Sequence, residues 1–133
     1  MTPVHAALIT ALEAYGPLMA LAGADGRLRI YPQVLPQDVK LPAITYKRIS
    51  ETEVRSQDGP SGLVRPRFQL DCWAKTYAEA DAVAAAVRDR MDGLRNDDGG
   101  NLQGVFADTS RDLYDPALRL QGRSRDFLFW NEE

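Results

Sequence analysis

The chain predicts an α+β domain: a mainly antiparallel sheet of about four to five strands, with two helices packed on one face, in the order α-β-β-β-α-β-β. Three observations carry that expectation. Apolar residues recur at helical spacing near the N-terminus and again from Ala80 to Leu94. Alternating apolar and polar residues mark strands around residues 43–53 and 63–74. Gly, Pro, Asn and Asp cluster between these segments, where turns are needed. With 133 residues and 44% hydrophobic content, one core spanning residues 1–133 is the expectation.

Thr2 can cap a first helix with Pro3 at its first position, and Val4, Leu8, Leu12 and Tyr15 then share one face. Gly16 suits the left-handed residue that ends it. Pro17 can open a further short turn through Leu21, and Gly23 to Gly26 form a second break. Arg27 to Tyr31 reads as a short strand, and the prolines that follow, to Pro42, favour an extended connection. Ala43 to Glu53 and Leu63 to Ala74 read as paired strands, with Phe68, Leu70 and Cys72 on one face. Between them the polar stretch around residues 51–64 is expected to form a long hairpin loop, mobile until something binds it.

Thr76-Tyr77-Ala78-Glu79 is a capping box, in which hydroxyl and carboxylate satisfy orphan N–H groups at a helix start. Ala80, Val83, Ala84, Val87, Met91 and Leu94 form the stripe behind it, with alanines small enough for close approach to a sheet. Asn96 to Asn101 is a linker. Two more strands follow, around Leu102 to Asp108 and Leu118 to Trp130, joined through Asp115-Pro116. In the last, Leu118 and Leu120 hold one parity while Phe127 and Phe129 hold the other, so a bulge is expected near Gly122 to Asp126.

The formal charge of −3 argues against a protein whose main task is to grip duplex DNA, which demands a dominant basic surface. A lone cysteine, Cys72, and a lone histidine, His5, make neither a disulfide framework nor a zinc site. The N-terminal apolar run is broken by His5, Glu13 and Gly16-Pro17, so neither a signal peptide nor a membrane span fits, and synthesis in the cytoplasm is expected. No P-loop, dinucleotide turn or hydrolase elbow is present. Cys72 lies on the apolar parity with no base in reach and reads as a buried small hydrophobe. Trp73 and Trp130 sit at strand ends, where an indole can bury its body and leave its N–H wet.

Asp97, Asp98, Asp108, Asp112 and Asp115 could together hold a divalent cation, but their spacing fits no EF-hand loop and a solvated linker is the favoured reading. Arginine supplies 13 of the 16 basic residues, as subunit interfaces favour and as GC-rich coding would also produce. Arg119, Arg123 and Arg125 share one parity of the last strand and could face a neighbouring subunit's carboxylates or simply solvent.

The order of elements, with Leu41-Pro42-Ala43-Ile44-Thr45-Tyr46, Phe68-Gln69-Leu70-Asp71-Cys72-Trp73-Ala74, the Thr76 to Leu94 helix and a terminal Arg/Phe strand, resembles the tail terminator, or tail-completion, family of long-tailed bacteriophages and gene transfer agents. The resemblance covers nearly the whole chain. It implies a non-enzymatic structural protein of the virion's head–tail junction, with no catalytic, cofactor or metal residues. It also implies a hexameric ring that caps the tail tube, stops elongation and meets the head connector or stopper protein, while DNA passes the lumen without being read. On such a ring Arg119, Arg123 and Arg125 could instead face the lumen. The length and polarity of the middle loop nominate Arg55, Ser56, Gln57 and Asp58 as the contact with the tail tube protein. Two alternatives stand beside this one: another neck component, such as a stopper or adaptor, and a small metal-dependent enzyme using the acidic residues.

Overall fold

The structure, a computed structural model, describes residues 4–56, 59–94 and 102–132. Thr2 and Pro3, Gln57 and Asp58, and the linker with Asp97 and Asp98 lie outside the described residues. Helix α1, Val4–Glu13, buries Val4, Leu8 and Leu12, three of the residues that its spacing places on one face. Gly16 does not end this helix in a left-handed turn. It opens a second helix, α2, Gly16–Ala22, with Pro17 in its first turn and Leu18 and Ala22 buried, and the chain bends by 89° between the two. The expected turn is thus a full helix, and the described residues hold three helices where two were expected. None is long and apolar enough to cross a membrane.

Asp25 and Gly26 both take positive φ, 55° and 77°, between β1, Gly23–Ala24, and β2, Arg27–Leu28. Two left-handed residues in succession match the twist of a tight hairpin, and β1 and β2 pair antiparallel as a small separate sheet. The expected Arg27 to Tyr31 strand is therefore divided at Arg29, and only β3, Ile30–Pro32, joins the main sheet.

The main sheet has the order β3-β4-β5-β7-β6, where β4 is Ala43–Ser56, β5 is Gly59–Ala74, β6 is Leu102–Asp115 and β7 is Leu120–Glu132. β3 runs parallel to β4 and the other three pairings are antiparallel, so the five-stranded sheet is mixed. The connection through Leu41-Pro42, a cis peptide, carries the chain from β3 back to start β4 in the same direction. Two expected loops are strand instead. The stretch around 51–64 continues the β4/β5 ladder to the pair Ser56↔Gly59, and β6 runs on past Asp108 to pair Asp115 with Leu120.

The third helix, α3, Tyr77–Met91, begins at the capping box: Thr76 Oγ1 accepts from the Glu79 amide at 3.2 Å. α3 lies on β5, β6 and β7, and α1 and α2 pack against α3. Val83, Ala84, Val87 and Met91 meet Ile44, Phe68, Leu70, Cys72, Phe127 and Phe129 in the core. The anticipated bulge is not in β7, whose pairing with β5 is unbroken from Ala74↔Gln121 to Phe68↔Phe127. It lies in the partner strand, between Ala107 and Ser110 of β6. The parity of β7 never switches. Arg123, Arg125 and Phe127 pair with Cys72, Leu70 and Phe68 and so share the helix side, while Leu120 belongs to the opposite face.

Candidate interaction surface

The face of the sheet away from the helices carries side chains that the register brings together. Ser124 of β7 pairs with Asp71 on one side and Arg111 on the other, and Asp126 pairs with Gln69. The Gln69 amide donates to Asp71 Oδ1 at 2.8 Å, and Arg111 donates to Gln69 Oε1 at 2.8 Å. Asp126 Oδ2 lies 3.7 Å from both Arg67 and Arg111, and Arg67 also bonds Asp108. The long arginine stems cover their neighbours, so Gln69, Ser124 and Asp126 are buried on a face that no helix covers. Ser124 Oγ is buried without a hydrogen-bond partner. Ser124→Ala is therefore expected to change stability by less than about 1 kcal/mol, and a larger loss in urea denaturation would reveal a hidden partner.

At one end of this face Trp73 packs against Gly122, where a Cβ would meet the indole at 2.9 Å. The Trp73 N–H is not left wet. It donates to Thr45 Oγ1 at 3.2 Å, while the Arg65 guanidinium lies 4.9 Å over the Trp130 ring.

The three arginines of the last strand separate. Arg119 precedes β7 in a left-handed turn, with φ 54°. Arg123 reaches α3, donating to Asp81 at 2.8 Å and to Ser110 at 2.7 Å. Arg125 stands beside it on the helix side, where burial, then Arg123 and Arg88, pull its pKa down. Arg123 and Arg125 thus flank α3, and the feature that sequence parity does not carry is the helix beside them. Of the expected tube contacts, Arg55 and Ser56 end β4, and Gln57 and Asp58 lie outside the described residues.

Of the acidic residues, Asp108, Asp112 and Asp115 do not converge, and Asp97 and Asp98 lie outside the described residues. Asp108 pairs with Arg67, and Asp112 accepts from the Tyr77 hydroxyl at 3.0 Å. Asp115 accepts from the Ala117 and Leu118 amides at 3.0 and 3.1 Å, closing the turn before β7. Among the described residues no three His, Cys, Asp or Glu side chains are placed to hold a metal ion. Cys72 is fully buried, and burial, then the Asp71 carboxylate, push its thiol up to about 12. Native protein is expected to resist a thiol reagent at neutral pH and to react once in urea; rapid native labelling would contradict this burial.

A cleft that sequence reading did not anticipate opens at the outer edge of β4. It has a volume of about 270 Å³ and is lined by His5 of α1, Gln33, and Tyr46, Lys47 and Arg48 of β4, with Phe68 beneath. No carboxylate lines it.

Among the described residues the ion pairs are dispersed, the β4 edge is open beyond Tyr46, and the polar face of the sheet is largely paired within itself. The profile of the tail completion protein gp17 family matches residues 6–132, and the chain belongs to that family of structural tail proteins. No curated protein sequence matches the chain. Its fold is similar to that of a chain in the virion of a native gene transfer agent particle, with a TM-score of 0.78, 20% identity, and coverage of 98% of this chain and 95% of that one.

Proposed function

We propose that this protein is a tail terminator, assembling as a hexameric ring that caps the tail tube, stops its elongation and presents a surface to the head connector. The observation that carries this reading is the tail-completion profile extending over residues 6–132. The likeness of its fold to a chain of a gene transfer agent virion supports a place in the particle; the proposed place is the head–tail junction, with DNA crossing the lumen unread.

The ring is proposed to meet the tube protein through the tip of the β4/β5 hairpin, at Arg55, Ser56, Gln57 and Asp58, because strands that extend beyond their neighbours make a projecting arm. Arg119 and Arg125, which have no ion-pair partner among the described residues, are the proposed contacts to the lumen or to a neighbouring subunit, with Arg123 behind them tied to Asp81. The test is electron microscopy of particles from a producing strain that lacks this gene. Overlong or unattached tails beside full heads are expected. Capped tails of normal length with leaky heads would make the protein a stopper or adaptor, and unchanged particles would end the assembly reading. Replacing residues 55–60 by a two-residue turn is expected to leave the melting curve unchanged and to abolish capping; normal capping by that variant would remove the tip from the interface.

A further inference from the structure

We infer that the cleft at the outer edge of β4 is a docking site for an extended, acidic segment of a partner protein, which adds to the sheet as a strand beside Lys47 to Glu51. Three observations meet there. First, β3 covers β4 only from Ile44 to Tyr46, and the Gln33 amide closes that short ladder by donating to the Tyr46 carbonyl at 2.8 Å. From Lys47 onward no described strand lies on that side of β4, so its outward backbone groups are available to an added strand. The far edge of the sheet is different. There the residues just past α3 cover β6, with the Gly93 amide on the Val105 carbonyl at 2.8 Å and Asp92 Oδ1 accepting from the Ala107 amide at 2.9 Å.

Second, the cleft at the root of this open edge is lined by two fixed cations, Lys47 and Arg48. His5, Lys47 and Arg48 line the cleft, and no carboxylate does, in a chain whose formal charge is −3. Lys47 and His5 have no hydrogen-bond or ion-pair partner among the described residues. Arg48 is held by an exposed pair with Glu51 at 3.5 Å and stacks 5.3 Å above Phe68. An exposed pair contributes about 0–1 kcal/mol, so an incoming carboxylate can displace Glu51 without a large penalty.

Third, Ile49 sits in the irregularity between Arg48 and Ser50 and is 45% exposed on the same edge, which offers an apolar contact next to the cations. Backbone groups, a cationic cleft and one aliphatic side chain in a row suit a peptide strand with an acidic residue followed by an apolar one. A nucleic acid would use only the cations.

The site names the chemistry of a partner within the tail-assembly reading, yet it is tested apart from it, because a binding titration does not depend on tail length. The probe is a blocked, fluorescein-labelled peptide of alternating glutamate and valine, titrated with the full-length protein and read by anisotropy. A matched lysine-valine peptide, inorganic phosphate as competitor and a labelled ten-nucleotide thymidine strand complete the set. Saturable binding of the acidic peptide is expected, weakened at least tenfold by Lys47→Glu with Arg48→Glu and unchanged by Lys75→Glu, an exposed lysine elsewhere. If the double variant proves unstable by circular dichroism, Lys47→Gln alone is expected to weaken binding several-fold. Equal binding of the lysine peptide, tighter binding of the thymidine strand, full competition by phosphate at equal charge concentration, or no effect of the charge reversals would each overturn the site.

Discussion

Phe68→Ala is expected to destabilise the protein by about 3–5 kcal/mol, because the ring is the hub of the helix-side core. Phe68 is 2% exposed, meets Phe129 edge-on with centroids 5.3 Å apart, and lies 6.5 Å from the Tyr46 ring. In register it faces Phe127, so its loss empties the centre of the sheet and not its margin. Flanking strands cannot collapse into such a space without breaking the ladder on both sides, which places the expected value at the upper part of the range. For a domain of this size that is a fall of roughly 10–20 °C in Tm. The cleft at the β4 edge also rests on this ring. A urea titration of Phe68→Leu beside it separates volume from edge-on aromatic geometry, with Leu expected to recover more than half of the loss. A change below about 1 kcal/mol in Phe68→Ala would mean that the core is not closed at this point.

Local chemistry made most of this fold legible. A capping box depends on four consecutive residues and an apolar stripe on one helix, so α3 could be placed from Thr76, Glu79 and the spacing of Val83, Val87 and Met91. The strand pair Ala43–Ser56 and Gly59–Ala74 announced itself by alternation, but its ends did not. Beyond Glu53 the polar composition reads as loop, whereas the backbone ladder is stabilised by hydrogen bonds that any side chain permits. The same blindness shortened β6, whose second half, with Ser110, Asp112 and Tyr114, is held by pairing to β7.

One local signal was present and misread as a break: Asp25-Gly26 between short β-prone pairs specifies a tight hairpin, and its positive φ values are what that dipeptide tolerates. Parity along β7 misled for a different reason. Arg123 and Arg125 occupy the same side as Phe127 and Phe129, because the rim of the helix layer admits guanidinium groups that can reach Asp81 and Ser110. Which end of a strand lies under a helix is a tertiary fact, and it also decides whether such arginines face inward or out. The cleft at β4 was illegible for the same reason, since His5 and Lys47 come from elements that meet only in the fold.

Ala84→Glu and Ala85→Glu are expected to differ by at least 3 kcal/mol, although the two positions are adjacent and the new side chain is the same. Ala84 is fully buried in the stripe that α3 presents to the sheet, beside Val83 and Val87, whereas Ala85 is exposed on the other side of the helix. A carboxylate at 84 must either lose its hydration against Phe and Leu side chains without a partner or lift the helix from β5 and β7, and both routes cost several kcal/mol. The same group at 85 stays in water in a helix it suits, where the expected change is within about 0.5 kcal/mol.

The pair also tests the architecture, because α1 and α2 both pack against α3. If α3 lies on the sheet as described, Ala84→Glu should lower the urea midpoint sharply and expose Cys72 to a thiol reagent under conditions where Ala85→Glu leaves it protected. Equal behaviour of the two variants would mean that the small residues of α3 do not face the sheet, and with that the packing of all three helices would have to be redrawn.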